Sequence, residues 1–118
     1  MNGKTCKALI DTGASKSVIS KKLVEKLKIT EFTPHNENQM TGIHPEEMKV
    51  SFATIESINF DKIEYTNIIA GVIDLEHVNA QYKTLGIRPF QIIIGGDILV
   101  LGKALIDYYN KKLKLSKL

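Results

Sequence analysis

The segment Ala8-Leu9-Ile10-Asp11-Thr12-Gly13-Ala14-Ser15 sets a carboxylate directly after an apolar run, at a glycine turn. An aspartate in that place leaves the end of a strand with its side chain aimed into a cleft. Gly13 lacks a Cβ, so backbone N–H groups can approach the carboxylate closely. Thr12 and Ser15 add hydroxyls able to fix its orientation. Asp-Thr-Gly is also a good turn sequence, and an isolated copy is more often only a turn. A second segment raises its weight. Ile92-Ile93-Ile94-Gly95-Gly96-Asp97-Ile98-Leu99 is an apolar strand stopped by glycine and followed by a helical turn that Asp97 can cap. The remaining reactive side chains are isolated. Cys6 has no second cysteine and no neighbouring histidine at metal-ligand spacing, so it suggests neither a disulfide nor a metal site nor thiol catalysis. His35 and His44 fall in a polar loop without fixed acidic partners and read as solvent-exposed.

These residues need strands to hold them, and the patterning supplies short ones. Lys4 to Ile10 reads as a strand that ends at the Thr12-Gly13 turn. Ser20 is a suitable N-cap for a helix over Lys21 to Leu27, with Leu23, Val24 and Leu27 on one face. Thr33 to Pro45 is polar and broken by Pro34, Gly42 and Pro45, which reads as loop. Met48 to Ile55 alternates, and Ile58 to Phe60 and Ile63 to Ile73 continue as β across a tight connection at Asp61-Lys62. Asp74 can cap a second helix from Leu75 to about Leu85, stopped by Gly86 and Pro89. Gln91 to Ile94 is a short apolar strand, and Ala104 to Asp107 with Lys112 to Leu115 form a terminal hairpin. Many short strands with one or two brief helices predict a mostly β, closed or barrel-like domain spanning residues 1–118 as a single unit.

With both motifs in one chain of this size, the sequence resembles the retroviral-type (retropepsin-like) aspartic peptidases, and its bacterial single-domain members most. The resemblance rests on Ala8 to Ile19 and on Ile92 to Leu115, including Ile106-Asp107-Tyr108 and Leu113-Lys114-Leu115. It implies a retropepsin-like barrel that hydrolyses peptide bonds in a peptide or protein substrate, without cofactor or metal. Asp11 matches the catalytic aspartate. Thr12 resembles the residue whose hydroxyl crosses the dimer axis, Gly13 the backbone donor, and Ala14 the next motif position; Ser15 is placed to hydrogen-bond the outer carboxylate oxygen. Lys16, Val18, Ile93 and Ile94 fall where relatives line the substrate cleft, and plain core or surface packing is an equal reading of all four. Only one Asp-Thr-Gly is present, because Asp74 and Asp107 lack the following Thr/Ser-Gly. The resemblance therefore implies a homodimer in which two copies of Asp11 share one proton and activate water.

Some features depart from the viral pattern. The region matching the glycine-rich flap, Gln39 to Met48, has one glycine and a proline; a hairpin around Thr41-Gly42 would present Ile43 to the cleft, and Pro45 would stiffen it. Gly95-Gly96 stands where some relatives carry a basic residue, and Ser15 is uncharged, so an ion pair between those positions is absent. Viral relatives have a longer lead before the aspartate. Either this chain is truncated at its N-terminus or its interface relies on the C-terminal strand. The alternation of lysine and leucine in Lys111 to Leu118 suits a charge-guarded edge strand and an interface strand equally.

Composition narrows the alternatives. With 118 residues, 43% apolar and 25% charged, the chain can build one modest core and is not of disordered type. A net charge of +3 with dispersed lysines and few aromatics argues against nucleic-acid binding. No apolar run reaches the roughly 20 residues of a membrane span. Met1 to Lys4 has no signal-like stretch, so a cytoplasmic location is favoured. Two rival functions remain. One is the same fold without catalysis, used as a dimerisation or peptide-binding module. The other is a phosphate cradle of the actin or sugar-kinase type, to which Ile10 to Ser17 bears a superficial likeness but which needs far more chain and a second phosphate loop.

Overall fold

The computed structural model describes residues 1–33 and 51–117. Its strands are β1 (Ala8–Ile10), β2 (Val18–Ser20), β3 (Glu31–Phe32), β4 (Ser51–Phe60), β5 (Ile63–Ile73), β6 (Ile92–Ile94), β7 (Leu105–Asp107) and β8 (Lys112–Lys114). Three short helices, α1 (Lys21–Lys26), α2 (Glu76–Lys83) and α3 (Gly96–Leu101), are interspersed, one more than the two at most that the sequence suggests. The extra one is α3, which forms where a helical turn through Leu101 is expected and begins at Gly96. Six strands pair in the order β1-β6-β2-β5-β4-β3, and β7 and β8 form a separate two-stranded sheet. Mostly β is the observed class. Among the described residues, however, no pairing joins the outer strands β1 and β3, so these residues show an open sheet and not the closed barrel expected from sequence. Among the described residues, the terminal hairpin pairs only with itself.

Local chemistry explains most element ends. Ser20 caps α1, its hydroxyl accepting from the N–H of Leu23 at 3.1 Å. α2 has Leu75 at its N-cap position without a side-chain cap, but Asp74 Oδ1 accepts from the N–H of Glu76 at 2.9 Å just outside it. β4 and β5 form a long antiparallel hairpin closed at Asp61-Lys62, with Asp61 in the left-handed region (φ 57°). Within it the buried face changes parity. Ala53 and Ile55 are buried on β4 and then Ile58; Tyr65 is buried on β5 and then Ala70 and Val72. The switch falls at Glu56 and Asn67, where the pairing is interrupted and Asn67 takes φ 55°, a conformation asparagine tolerates better than most residues. The parity break makes Ile58 to Phe60 read as a separate strand in sequence; it is the second half of β4.

The core gathers Ile19, Leu23, Val24, Ala53, Ile55, Tyr65, Ala70, Ile92, Ile94 and Ile98 between the sheet and the short helices α1 and α3. Each fully buried Ile or Val stabilises by about 1.5–3 kcal/mol relative to exposure. Tyr65 is fully buried, yet its hydroxyl is satisfied by donating to the Ser116 carbonyl at 2.6 Å, which ties the C-terminal tail to the core.

Candidate active site

Strand order alone brings the two motifs together. β6 lies between β1 and β2, parallel to the first and antiparallel to the second. The connection from β1 to β2, residues 11–17, must therefore pass over the end of β6, where Gly95 stands. Asp11 extends the β1–β6 ladder by one bond, its N–H donating to the Ile94 carbonyl at 2.9 Å. The chain then turns: the N–H of Gly13 donates to Asp11 Oδ1 at 3.0 Å, and the N–H of Ala14 to the Asp11 carbonyl at 3.2 Å. Among the described residues, Gly13 is the donor to this carboxylate, and Asp11 is half-buried. A Cβ on Gly13 would lie 3.4 Å from Asp11 Oδ1, at the edge of ordinary contact. The strict demand for glycine falls at Gly95, where a Cβ would meet Ala14 O at 2.7 Å and the Lys16 carbonyl carbon at 2.9 Å.

Past the turn, the loop is stitched to the start of α3. The N–H of Gly96 donates to the Ala14 carbonyl at 2.6 Å, and that of Asp97 to the Ser15 carbonyl at 3.2 Å. Ser17 is fully buried. Its Oγ donates to Asp97 Oδ1 at 2.7 Å and accepts from the N–H of Gly95 at 2.9 Å, while its own N–H donates to Asp97 Oδ1 at 3.0 Å. The same oxygen also accepts from the N–H of Ile98 at 2.9 Å. Sequence reasoning treats Asp97 only as a helix cap and passes over Ser17. Nothing in a linear reading links positions 80 residues apart.

The other expected residues separate clearly. Thr12, Ser15 and Lys16 are exposed and Ala14 is half-buried. Among the described residues, no hydrogen bond joins the Ser15 hydroxyl to Asp11, so its expected carboxylate contact is absent here; Ser15 contributes its carbonyl instead. Val18 and Ile93 are register partners, and Ile93 is also paired with Leu9. All three are half-buried and share one face of the sheet, which Asp11 continues two residues beyond Leu9. Ile94 points the other way and is fully buried in the core, because side chains alternate along β6. Thr41, Gly42 and Ile43, with the whole flap-like stretch and His35 and His44, lie outside the described residues.

The last helix and the C-terminal hairpin leave large apolar or aromatic side chains exposed: Val100 is 79% exposed, Leu105 61%, Tyr108 86% and Tyr109 93%. Thr12 shares a shallow concavity with Leu99, Val100 and Ile106. A broader cleft lined by Cys6, Leu23, Leu75 and Phe90 sits at the opposite end of β1 from Asp11. Its Lys22 is occupied in an ion pair with Glu76, and the cleft holds no part of the Asp11 loop. Among the described residues there is no group of three or more His, Cys, Asp or Glu side chains placed to hold a metal ion, and no helix is long and apolar enough to cross a membrane.

Solved structures with this architecture include the retroviral protease-like domain of Ddi1 from Leishmania major, with TM-score 0.61 and 18% identity over 100% of this chain and 84% of that one. A retropepsin-like aspartic protease from Rickettsia conorii is similar too, with TM-score 0.50 and 22% identity over 84% of this chain and 63% of that one. At such identities the likeness defines the fold, which is retropepsin-like. The sequence itself matches the model of the aspartyl protease family over residues 1–98, and the chain belongs to that family. A comparison with curated proteins gives no match.

Proposed function

We propose that this chain is an aspartic endopeptidase acting as a homodimer, in which Asp11 and Asp11 of the partner subunit activate a water molecule for attack on a peptide bond. The observation that carries the reading is the state of Asp11. Its carboxylate leaves the end of β1 half-buried, with one oxygen held by the N–H of Gly13, on a loop bonded along its length to β6 and α3. Two such carboxylates brought about 3 Å apart hold one proton between them. The ionised member takes a proton from water while the protonated one donates to the scissile carbonyl, and the roles then reverse to release the amine. Thr12, Gly13, Ala14 and Ser15 support the aspartate; Lys16, Val18 and Ile93 border the substrate. Metal and covalent intermediate are not required by this chemistry.

The exposed apolar face of α3 and the β7–β8 hairpin supports the dimer, because monomeric proteins rarely leave such surface uncovered and because it adjoins Thr12. Peptide cleavage at mildly acidic pH by wild type and by Asp11→Asn, with and without a statine-type inhibitor, tests the proposal. Wild type is expected to cleave and to be inhibited, and the variant to lose roughly 100- to 10,000-fold in kcat/KM. Equal activity in the two proteins, or none in either, would sink it.

A further inference from the structure

The Asp11 loop is short of internal support. Apart from the Gly13 and Ala14 turn bonds and the N–H of Gly71, which donates to the Ser17 carbonyl at 3.0 Å, the hydrogen bonds that fix it among the described residues come from the other motif, 80 residues later. At the centre of that contact is one oxygen, Asp97 Oδ1, which accepts three donors: the hydroxyl and N–H of Ser17 and the N–H of Ile98. Ser17 is fully buried and passes the link on, its Oγ accepting from the N–H of Gly95. Gly95 in turn is packed so tightly under Ala14 and Lys16 that it has no room for a side chain. The loop is thus held at Ala14, Ser15 and Ser17 by consecutive residues of a single turn. Among the described residues no hydrogen bond joins Asp97 to Asp11, so Asp97 reaches the carboxylate only through the loop backbone.

From this geometry we infer that Asp97 and Ser17 are positioning residues for catalysis: a clamp, closed on the buried Ser17, that sets where the Asp11 carboxylate points, acting through the backbone of residues 11–17. The inference rests on the peptidase reading for its effect on turnover, but the clamp has a consequence that needs no activity. If it aims the loop, the Gly13 N–H···Asp11 bond should weaken when the clamp is cut, even while the rest of the fold stands. Charge-assisted hydrogen bonds are the stronger kind, and an asparagine oxygen in the same place still accepts, so Asp97→Asn should restore part of what Asp97→Ala loses.

Wild type, Asp97→Ala, Asp97→Asn, Ser17→Ala and Asp11→Asn are compared for kcat and KM on one peptide and for amide hydrogen exchange at Gly13 and along β4–β5. Misplacing a reacting group by an ångström costs up to about 100-fold. Asp97→Ala and Ser17→Ala are therefore expected to lower kcat roughly 10- to 100-fold with KM within about twofold of wild type. Gly13 exchange should accelerate in both while β4–β5 stays protected, and Asp97→Asn should recover part of both readouts. Unchanged kcat and Gly13 protection in the two alanine variants overturns the clamp. So does loss of protection throughout β4–β5, which would make the pair general support. If wild type itself cleaves nothing, the peptidase reading fails, and the Gly13 exchange decides the clamp by itself.

Discussion

Because one oxygen of Asp11 is held by Gly13, the residue presents a defined face to whatever meets it, and the proposed chemistry depends on a single proton shared with a second carboxylate. When both acids ionise that proton is lost. The pH–rate profile is expected to decline on its alkaline side, and a rate still rising beyond about pH 8 would contradict shared-proton catalysis. A different carboxylate contributes to acid stability. The Ser51 hydroxyl, bonded at 2.6 Å, and then Lys21 hold the Glu31 carboxyl below its ordinary value of 4.5. A depressed folded pKa means the stabilisation is complete above that ordinary value and disappears as pH falls through the lower, folded one. Glu31→Gln should therefore lower stability slightly at neutral pH and flatten the loss of stability seen by urea unfolding as pH drops below 4.5; an identical acid slope in both proteins would refute this. Asp11 was legible in sequence because its surroundings are contiguous. Ser17 was not, because a small hydroxyl among lysines looks like surface until the fold buries it.

Among the elements, the three-residue strands β1, β2 and β6 matter more than their length suggests. Their order forces the 11–17 connection across Gly95. Gly95→Ala would push a methyl group against backbone atoms that cannot swing aside, at 2.7 Å from Ala14 O. We expect a loss of stability of about 1–3 kcal/mol, as for other overpacked sites, together with reduced activity, measured by thermal unfolding and peptide cleavage. A variant as stable and active as wild type would show the contact to be slack. The matching test at Gly96, where the nearest atom would be 3.5 Å away, should be much milder. Strands with clean alternation or a tight turn were readable in the chain, as the Asp61-Lys62 hairpin shows. β2 and β3 were not, since Val18–Ser20 and Glu31–Phe32 are too short to display a period.

For the whole molecule, the proposed active site is completed only by assembly. Specific activity should rise with protein concentration until dimers saturate, followed by sedimentation alongside cleavage. Leu105→Asp changes a side chain that is 61% exposed in the single chain, so the fold should survive while association and activity fall together. A monodisperse monomer with full activity would end the homodimer proposal; an active dimer of the variant would move the interface away from β7.

The sequence by itself determined the local chemistry: which aspartate sits at a glycine turn, where α1 begins, and that the chain is mostly β. These follow from neighbours along the backbone, whose φ/ψ limits and hydrogen bonds act over a few residues. Only the tertiary structure decided that β6 slides between β1 and β2, that Ile94 faces inward while Ile93 faces the site, and that Ser17 meets Asp97. Such facts depend on strand order and on which side of the pleat a residue occupies, and both are set by burying the whole core at once.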